Sequence, residues 1–371
     1  VIGFLESLLC ANAHFTVTSA KRTLKQNEAA GGVPNSQHLT GNAIDFKPYG
    51  STTYDQLLTL IYEYSDFVCS FDQLILYPTF IHISFSDRKR HQIFDDASDW
   101  LSLDMKALCF QENDKLDLTE YTQAALVTAS LAMAHVIKEN GLIPDVAAGL
   151  SLGEYCAIEM AGGMSLKSAV CTVRERGILM EHAVPAGKGG MAAVLGMKAE
   201  DIEKNIASLD GVEIANYNCP GQIVITGKKE GVERAAELLK ANGAKRVLPL
   251  NVSGPFHSSM LRDAGQELEK ILENQEFSSL RIPYVTNVTG EFIQDKSEIK
   301  PLLSRQISSP VEWQQSVENM IAKGVDTFVE IGPGKTLTGF IRKINKEVAV
   351  YSIQTIEDME KVIQAVKEQS I

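Results

Sequence analysis

Pro144-Asp145-Val146-Ala147-Ala148-Gly149-Leu150-Ser151-Leu152-Gly153-Glu154 is the stretch that decides the fold of this chain. The run from Asp145 to Leu150 is short and apolar after a proline, the pattern of a buried parallel strand, and Glu154 to Ala161 reads as helix. The turn between them carries Gly-x-Ser-x-Gly, which would set Ser151 on a sharp strand-to-helix bend. Glycines at 149 and 153 let such a bend tighten without Cβ clashes. A helix N-terminus there turns backbone N–H groups toward any oxyanion formed at the serine. A lone Gly-x-Ser-x-Gly also recurs by chance in glycine-rich turns, so the residues around it must supply the rest of the argument.

Outward from this bend, helical periodicity alternates with short apolar strands from about Asp117 onward, the signature of an α/β domain. Thr119 to Asn140 reads as a helix closed by Gly141 and Pro144, and Ser165 to Glu181 as a second one capped by Ser165. An inserted unit at about 189–252 has its own order: strand Gly190 to Leu195, helix Ala199 to Ala207, strands Val212 to Tyr217 and Gln222 to Thr226, helix Lys229 to Asn242, strand Arg246 to Val252. That β-α-β-β-α-β order is ferredoxin-like. The larger domain then resumes with helix Ser258 to Glu273, strand Ile282 to Asn287, helix Pro310 to Lys323, and strands Thr327 to Ile331 and Val348 to Ser352.

The chain has 371 residues, 44% hydrophobic and 22% charged, room for two or three globular domains. A net charge of −12 argues against nucleic acid or an anionic membrane as partner. No apolar run approaches the roughly 20 residues of a membrane span, and no basic-then-apolar leader opens the chain, so a cytoplasmic location is expected. Six scattered cysteines without a C-x-x-C pair point to reduced, mostly buried thiols. A chain opening on Val1 rather than methionine reads as a fragment or as a trimmed chain.

A serine nucleophile needs a base, and His257 in Gly254-Pro255-Phe256-His257 is the leading candidate, His135 and His182 lying within helical patterns. With it in view, residues 93–371 resemble the malonyl-CoA:acyl carrier protein transacylase family. The resemblance rests on residues 149–155, Val173-Arg174-Glu175-Arg176-Gly177, Asn216-Tyr217-Asn218-Cys219-Pro220-Gly221-Gln222, residues 254–257, Arg305-Gln306 ahead of Pro310-Val311-Glu312-Trp313, and Glu330-Ile331-Gly332-Pro333-Gly334-Lys335. Leu150 stands where the family usually has histidine. The resemblance implies a parallel-sheet, α/β-hydrolase-like acyltransferase domain with malonyl-CoA and acyl carrier protein as partners and no cofactor. It makes Ser151 the nucleophile and His257 the base, and has Gln306 orient the histidine or the substrate. Arg176 would hold the malonyl carboxylate, a task suited to a planar, permanently charged guanidinium. Leu152, the residue after the serine, would give one oxyanion N–H, and the bulk of Phe256 would exclude an α-methyl branch. A serine esterase shares the elbow but is disfavoured by Arg176 and by Gln306 in place of an acidic triad member. Gly332-Pro333-Gly334-Lys335-Thr336 is not a P-loop, because Val329 stands where that motif needs glycine.

Members of the family begin with a strand ending in a Gly-Gln-Gly loop that supplies the second oxyanion donor, and this chain has no such segment. Loss of one donor costs on the order of a hundredfold in rate, so the sequence predicts a slow transacylase. Without that strand, apolar sheet edges and unpaired backbone groups are expected to be exposed. In its place, Ser36-Gln37-His38-Leu39-Thr40-Gly41-Asn42-Ala43-Ile44-Asp45, with Phe80-Ile81-His82-Ile83-Ser84, resembles the D-Ala-D-Ala carboxypeptidase type of zinc peptidase, endolysins included. The resemblance implies a small α+β domain over 1–92 and a zinc ion held by His38, Asp45 and His82, with a water on the open position. It also has Arg22 bind a substrate carboxylate. Such peptidases often carry a glutamate as general base three residues before the last ligand, but Thr79 stands there in this chain, and Asp72 reads equally as its substitute and as a helix-cap or turn residue. The joint at residues 92–93 reads equally as a gene fusion and as a chimeric reading frame.

Overall fold

The computed structural model describes residues 14–21, 23–29, 43–58, 60–61, 73–76, 81–84, 92–185, 187–252 and 254–369. It divides into two compact units, Val1–Asp95 and Asp96–Ile371. In the first unit, strands β1 (Phe15–Ser19), β2 (Ala43–Pro48), β3 (Gln73–Leu76) and β4 (Ile81–Ser84) form an antiparallel sheet in the order β1-β2-β4-β3. Ile44, Phe46, Ile81 and Ile83 bury one core with Leu57 and Ile61. Helix Gln92–Leu101 runs across residue 93.

In the second unit, helix Thr119–Glu139 ends at Asn140, with Gly141 at φ +91°, the left-handed turn that glycine permits at a helix end. Strand β5 (Ala147–Ala148) leads through the Ser151 bend into helix Gly153–Met160, and Ser165 caps helix Leu166–His182 by accepting from Ser168 N at 3.1 Å. Then come β6 (Gly189–Leu195), helix Ala199–Ile206, β7 (Val212–Cys219), β8 (Gln222–Lys228), helix Lys229–Ala241 and β9 (Arg246–Pro249). Their sheet runs β7-β8-β6-β9, every pair antiparallel, which is the ferredoxin-like order expected. Its helices bury Ile202 and Ile206, and Val232, Ala235 and Leu239, residues spaced to share one face against the sheet.

The chain then passes through helix Arg262–Glu273, strands β10 (Tyr284–Val285) and β11 (Phe292–Ile293), helices Ile299–Gln306 and Trp313–Ala322, strand β12 (Thr327–Ile331), helix Thr336–Ile344, strand β13 (Ala349–Ile353) and helix Ile356–Gln369. β10 pairs β5 in parallel and β11 antiparallel, and β12 pairs β13 in parallel. Two sheets thus stand where one parallel sheet is expected: β11-β10-β5 and β12-β13. Between β5 and β12 lies a cavity of about 580 Å³.

The local departures from the sequence reading have local causes. The strand expected over Asp145 to Leu150 pairs at two residues only, because it has one neighbour and bends at Gly149. The helix expected from Pro310 starts at Trp313, since Val311 is engaged with β7: its N–H donates to Ala215 O at 2.8 Å and its O accepts from Tyr217 N at 2.9 Å. The helix expected from Ser258 starts at Arg262 after a tighter turn, Ser259–Leu261. Of the described cysteines, Cys219 is buried while Cys109, Cys156 and Cys171 are half-buried, where the sequence suggests mostly buried thiols. Among the described residues no helix is long and apolar enough to cross a membrane.

Candidate active site

Ser151 has φ +49°, a left-handed conformation that costs a non-glycine residue about 1–2 kcal/mol. The bend is closed so tightly that a Cβ on Gly149 would lie 2.0 Å from Gly153 O, which fixes glycine at 149. A Cβ on Gly153 would meet nothing within 4 Å, so only the first of the two glycines is required by space, against the sequence reading. Asn287, just beyond β10, pins the bend from outside. Its Oδ1 accepts from Ser151 N and its Nδ2 donates to Gly149 O at 2.7 Å. Leu152 N–H, next in line, has no acceptor among the described residues and stands at the head of helix Gly153–Met160. That is the arrangement of an oxyanion donor.

His257 also has a positive φ, +59°, on the loop that leaves the ferredoxin-like subdomain. Its Nε2 lies 2.7 Å from Ser151 Oγ. Its Nδ1 faces two backbone carbonyls, Gln306 O at 2.9 Å and Ser309 O at 3.2 Å. A carbonyl can only accept, so Nδ1 carries the proton and Nε2 is left bare toward the serine hydroxyl. Burial and, second, the Arg176 charge hold the imidazole down to about 4, so it is neutral at physiological pH. Backbone oxygens thus fill the position that an acidic triad member occupies in other serine enzymes.

Arg176, on helix Leu166–His182, is 1% exposed. Its guanidinium donates to Ser151 Oγ at 3.1 Å, Gln306 Oε1 at 3.0 Å and Gln123 Oε1 at 2.7 Å. Burial pulls its pKa below the usual arginine range. Gln306 is brought to the site, but its two halves act separately. The main-chain oxygen orients His257, while the side chain accepts from Arg176 and donates through Nε2 to Ser151 O and to Glu154 Oε2, both at 2.8 Å.

Glu154 is fully buried under the bend, and burial pushes its carboxyl up to about 7 despite hydrogen bonds that favour the anion. Oε2 also accepts from Asn287 N at 3.1 Å. Nothing in the sequence alone singles out Glu154 or Asn287. Glu154 stands inside the quoted stretch, but a carboxylate in a helix's first turn reads as solvated, and Asn287 carries no motif. Phe256 is half-buried and packs on Met191, Ala215 and Val224 of the small subdomain.

A cleft of about 470 Å³ opens beside the bend, between Leu150 and Leu152 of the large subdomain and Asn216, Asn218 and Leu250 at the small one. Gly332 and Pro333 close its far side. The helix that follows them is capped by Glu330, which accepts from Leu337 N at 3.0 Å and Thr338 N at 2.7 Å. A carboxylate already holds the place a phosphate would take, in line with rejection of a P-loop there.

In the first unit, Asp45 is 3% exposed and faces His82 as a cross-strand partner in the β2–β4 pair. His38, Arg22, Asp72 and Thr79 lie outside the described residues. Among the described residues no group of three or more potential metal ligands comes together.

Nucleophile, bare imidazole nitrogen and oriented N–H donor together define a class: serine enzymes that pass acyl groups through an ester. Comparison with known proteins narrows it. The acyl transferase domain matches residues 87–367, and the Peptidase M15 family matches residues 9–84. The malonyl CoA-acyl carrier protein transacylase of Bacillus subtilis strain 168 is 44% identical over 284 residues, 75% of this chain and 90% of that protein. The crystal structure of the corresponding transacylase of Clostridium perfringens superposes with a TM-score of 0.74 at 39% identity, covering 77% of this chain and 91% of that one. A type II PKS acyl-carrier protein in complex with its malonyl-transacylase gives 0.73 at 38% identity, over 74% and 91%. The chain belongs to the acyl transferase family, in the branch of the malonyl CoA-acyl carrier protein transacylases.

Proposed function

We propose that this chain transfers malonyl groups from malonyl-CoA to the phosphopantetheine thiol of acyl carrier protein through an ester on Ser151. The observation that carries the reading is the convergence of His257 Nε2 and Arg176 on one serine oxygen, at 2.7 and 3.1 Å. Ser151 Oγ attacks the thioester carbon as His257 Nε2 takes its proton, and Leu152 N–H receives the developing oxyanion. Collapse breaks the C–S bond, and the imidazolium returns the proton to the leaving coenzyme A sulfur. The carrier thiol then gives its proton to His257 and attacks the ester, and Ser151 recovers its hydrogen as the acyl group leaves. Arg176 pairs with the malonyl carboxylate throughout, Gln306 keeps Arg176 and the bend in register, and the bulk of Phe256, beside His257, excludes an α-methyl branch. The cytoplasm is the proposed compartment and 93–371 the proposed domain.

Intact mass after incubation with malonyl-CoA tests the reading. One malonyl adduct is expected on the parent protein and none on Ser151→Ala; an adduct on the alanine variant refutes it. Turnover is expected to be slow, by on the order of a hundredfold for one oxyanion donor.

The facing positions of Asp45 and His82 favour a second, separate activity for residues 1–92. Cross-strand partners lie about 5 Å apart, a spacing that suits two ligands of one ion, and His38 would complete a zinc site that activates water against a peptide bond. Metal analysis of the purified chain should find one zinc, lost in His38→Ala; a metal-free parent protein rules this out.

A further inference from the structure

Among the described residues β5 and β12 are each paired on one side only, β5 with β10 and β12 with β13, both in parallel. Their other sides border the 580 Å³ cavity, which residues 146–149 line on one side and residues 328–331 on the other. Small side chains wall it, Ser130 and Ala134 from helix Thr119–Glu139 and Cys156 and Ala157 from helix Gly153–Met160. The two strands run the same way. Residues just beyond both C-terminal ends, Leu150 and Gly332, line the cleft beside Ser151, and residues just before both N-terminal ends, Asp145 and Asp326, line the cavity.

An unpaired strand edge presents backbone N–H and C=O groups in a row, and another backbone in extended form satisfies that row in series. An extended chain parallel to both edges bonds on both sides at once; a helix satisfies its backbone internally and leaves the edges bare. The N-terminal end of the slot carries Asp145 and Asp326 against Lys323, an excess of negative charge. Trp313, 3% exposed, also lines the cavity, and its indole N–H has no acceptor among the described residues.

We propose that this slot is a binding site for an extended apolar segment of another polypeptide. The segment is taken up as a parallel strand between β5 and β12, with a basic residue at its N-terminal end. Matching the five residues of β12, the inserted strand spans about 17 Å and joins the two sheets into one. Its C-terminal end then emerges at the cleft beside Ser151. The segment's carbonyls give Trp313 its missing acceptor.

The test uses the full chain with Trp100→Phe, leaving Trp313 as the sole indole. The probe is the synthetic peptide KVAVVVGG with a free amino terminus. The expected result is a saturable change in indole emission and a melting temperature that climbs with peptide concentration. Proline at the middle valine, which removes a ladder donor, and glutamate for the lysine, which meets Asp145 and Asp326, each weaken binding about tenfold or more. No saturable change with the parent peptide overturns the proposal. So does equal binding of the proline peptide, which marks nonspecific adsorption, or a dimer of the chain that excludes the peptide, which assigns the slot to a second copy. No readout depends on acyl transfer, so this test and the adduct experiment fail independently.

Discussion

Replacing Arg176 with methionine should move the titration of His257 upward by about two pH units. The two side chains share one contact, since Arg176 and His257 Nε2 reach Ser151 Oγ at 3.1 and 2.7 Å and so lie within about 6 Å of each other. At that separation, with an effective dielectric of about 20, a unit charge opposes a second one by roughly 2.8 kcal/mol, or about two pH units. The parent imidazole is held down to about 4, burial being the larger cause and the arginine the next. Removing the guanidinium removes the second cause only, so the variant titrates higher while still below ordinary histidine. The assay is inactivation by a fluorophosphonate, which needs a nucleophilic serine and a neutral imidazole but no substrate carboxylate. Its rate plotted against pH should fall on the acid side near 4 in the parent and about two pH units higher in Arg176→Met. Coincident acid limbs in two folded proteins would refute the reasoning, because the arginine charge would then not be felt at the imidazole.

Ser151→Gly should abolish the malonyl adduct yet raise stability by about 1 kcal/mol in urea denaturation, since glycine accepts φ +49° without strain. Gln306→Ala should leave the fluorophosphonate rate within a few-fold, because the main-chain oxygen still orients His257, and lower kcat/KM for malonyl-CoA about tenfold or more through loss of Arg176 positioning. Glu154→Gln should change the pH dependence of stability. Glu154, raised from 4.5 to about 7, keeps a proton that the unfolded chain releases, so its contribution is present below pH 4.5 and lost as pH rises through 7. His257, lowered from 6.5 to about 4, acts oppositely: its contribution is present above 6.5 and lost as pH falls through 4. Each is worth about 3 kcal/mol and they offset in the parent, so denaturation of Glu154→Gln should show stability climbing by about that amount from pH 4 to 6.5.

What the sequence disclosed was what periodicity and motif encode. The ferredoxin-like insert was legible because its helices repeat apolar residues at 3.6 and its strands are rich in β-branched side chains, patterns local to each segment. Ser151, His257 and Arg176 were legible as motif residues. The split of the large sheet was foreshadowed by the absent first strand, but its exact edges were not, since strand pairing joins residues far apart such as Ala148 and Val285. Helix Ile299–Gln306 has little sequence signal because it spans only about two turns, too short for a periodic pattern to stand out. The motif points to the Gln306 side chain, whereas half of its work falls to a backbone oxygen, and no residue type signals that. Glu154 and Asn287 become visible only when the bend folds over them.

Arg176 links substrate choice to the chemistry on the proposed reading. It is buried with a hydroxyl and two amides as partners, and among the described residues no carboxylate lies within ion-pair distance. A cation shut away on neutral partners costs several kcal/mol relative to one that is paired. An acyl group ending in a carboxylate relieves that cost, and one without it leaves the charge buried and its own approach unrewarded. A site built around a polar group discriminates strongly against ligands that leave that group unpaired, far more than an apolar pocket can against one extra methylene. Pairing has a second effect at the same place. Once the carboxylate offsets the guanidinium, the charge that depresses His257 is screened and the imidazole becomes a stronger base at the moment the thioester is in reach. Serine activation is therefore weakest in the empty site and strongest with a malonyl group seated, which limits attack by Ser151 on acyl groups that lack the carboxylate.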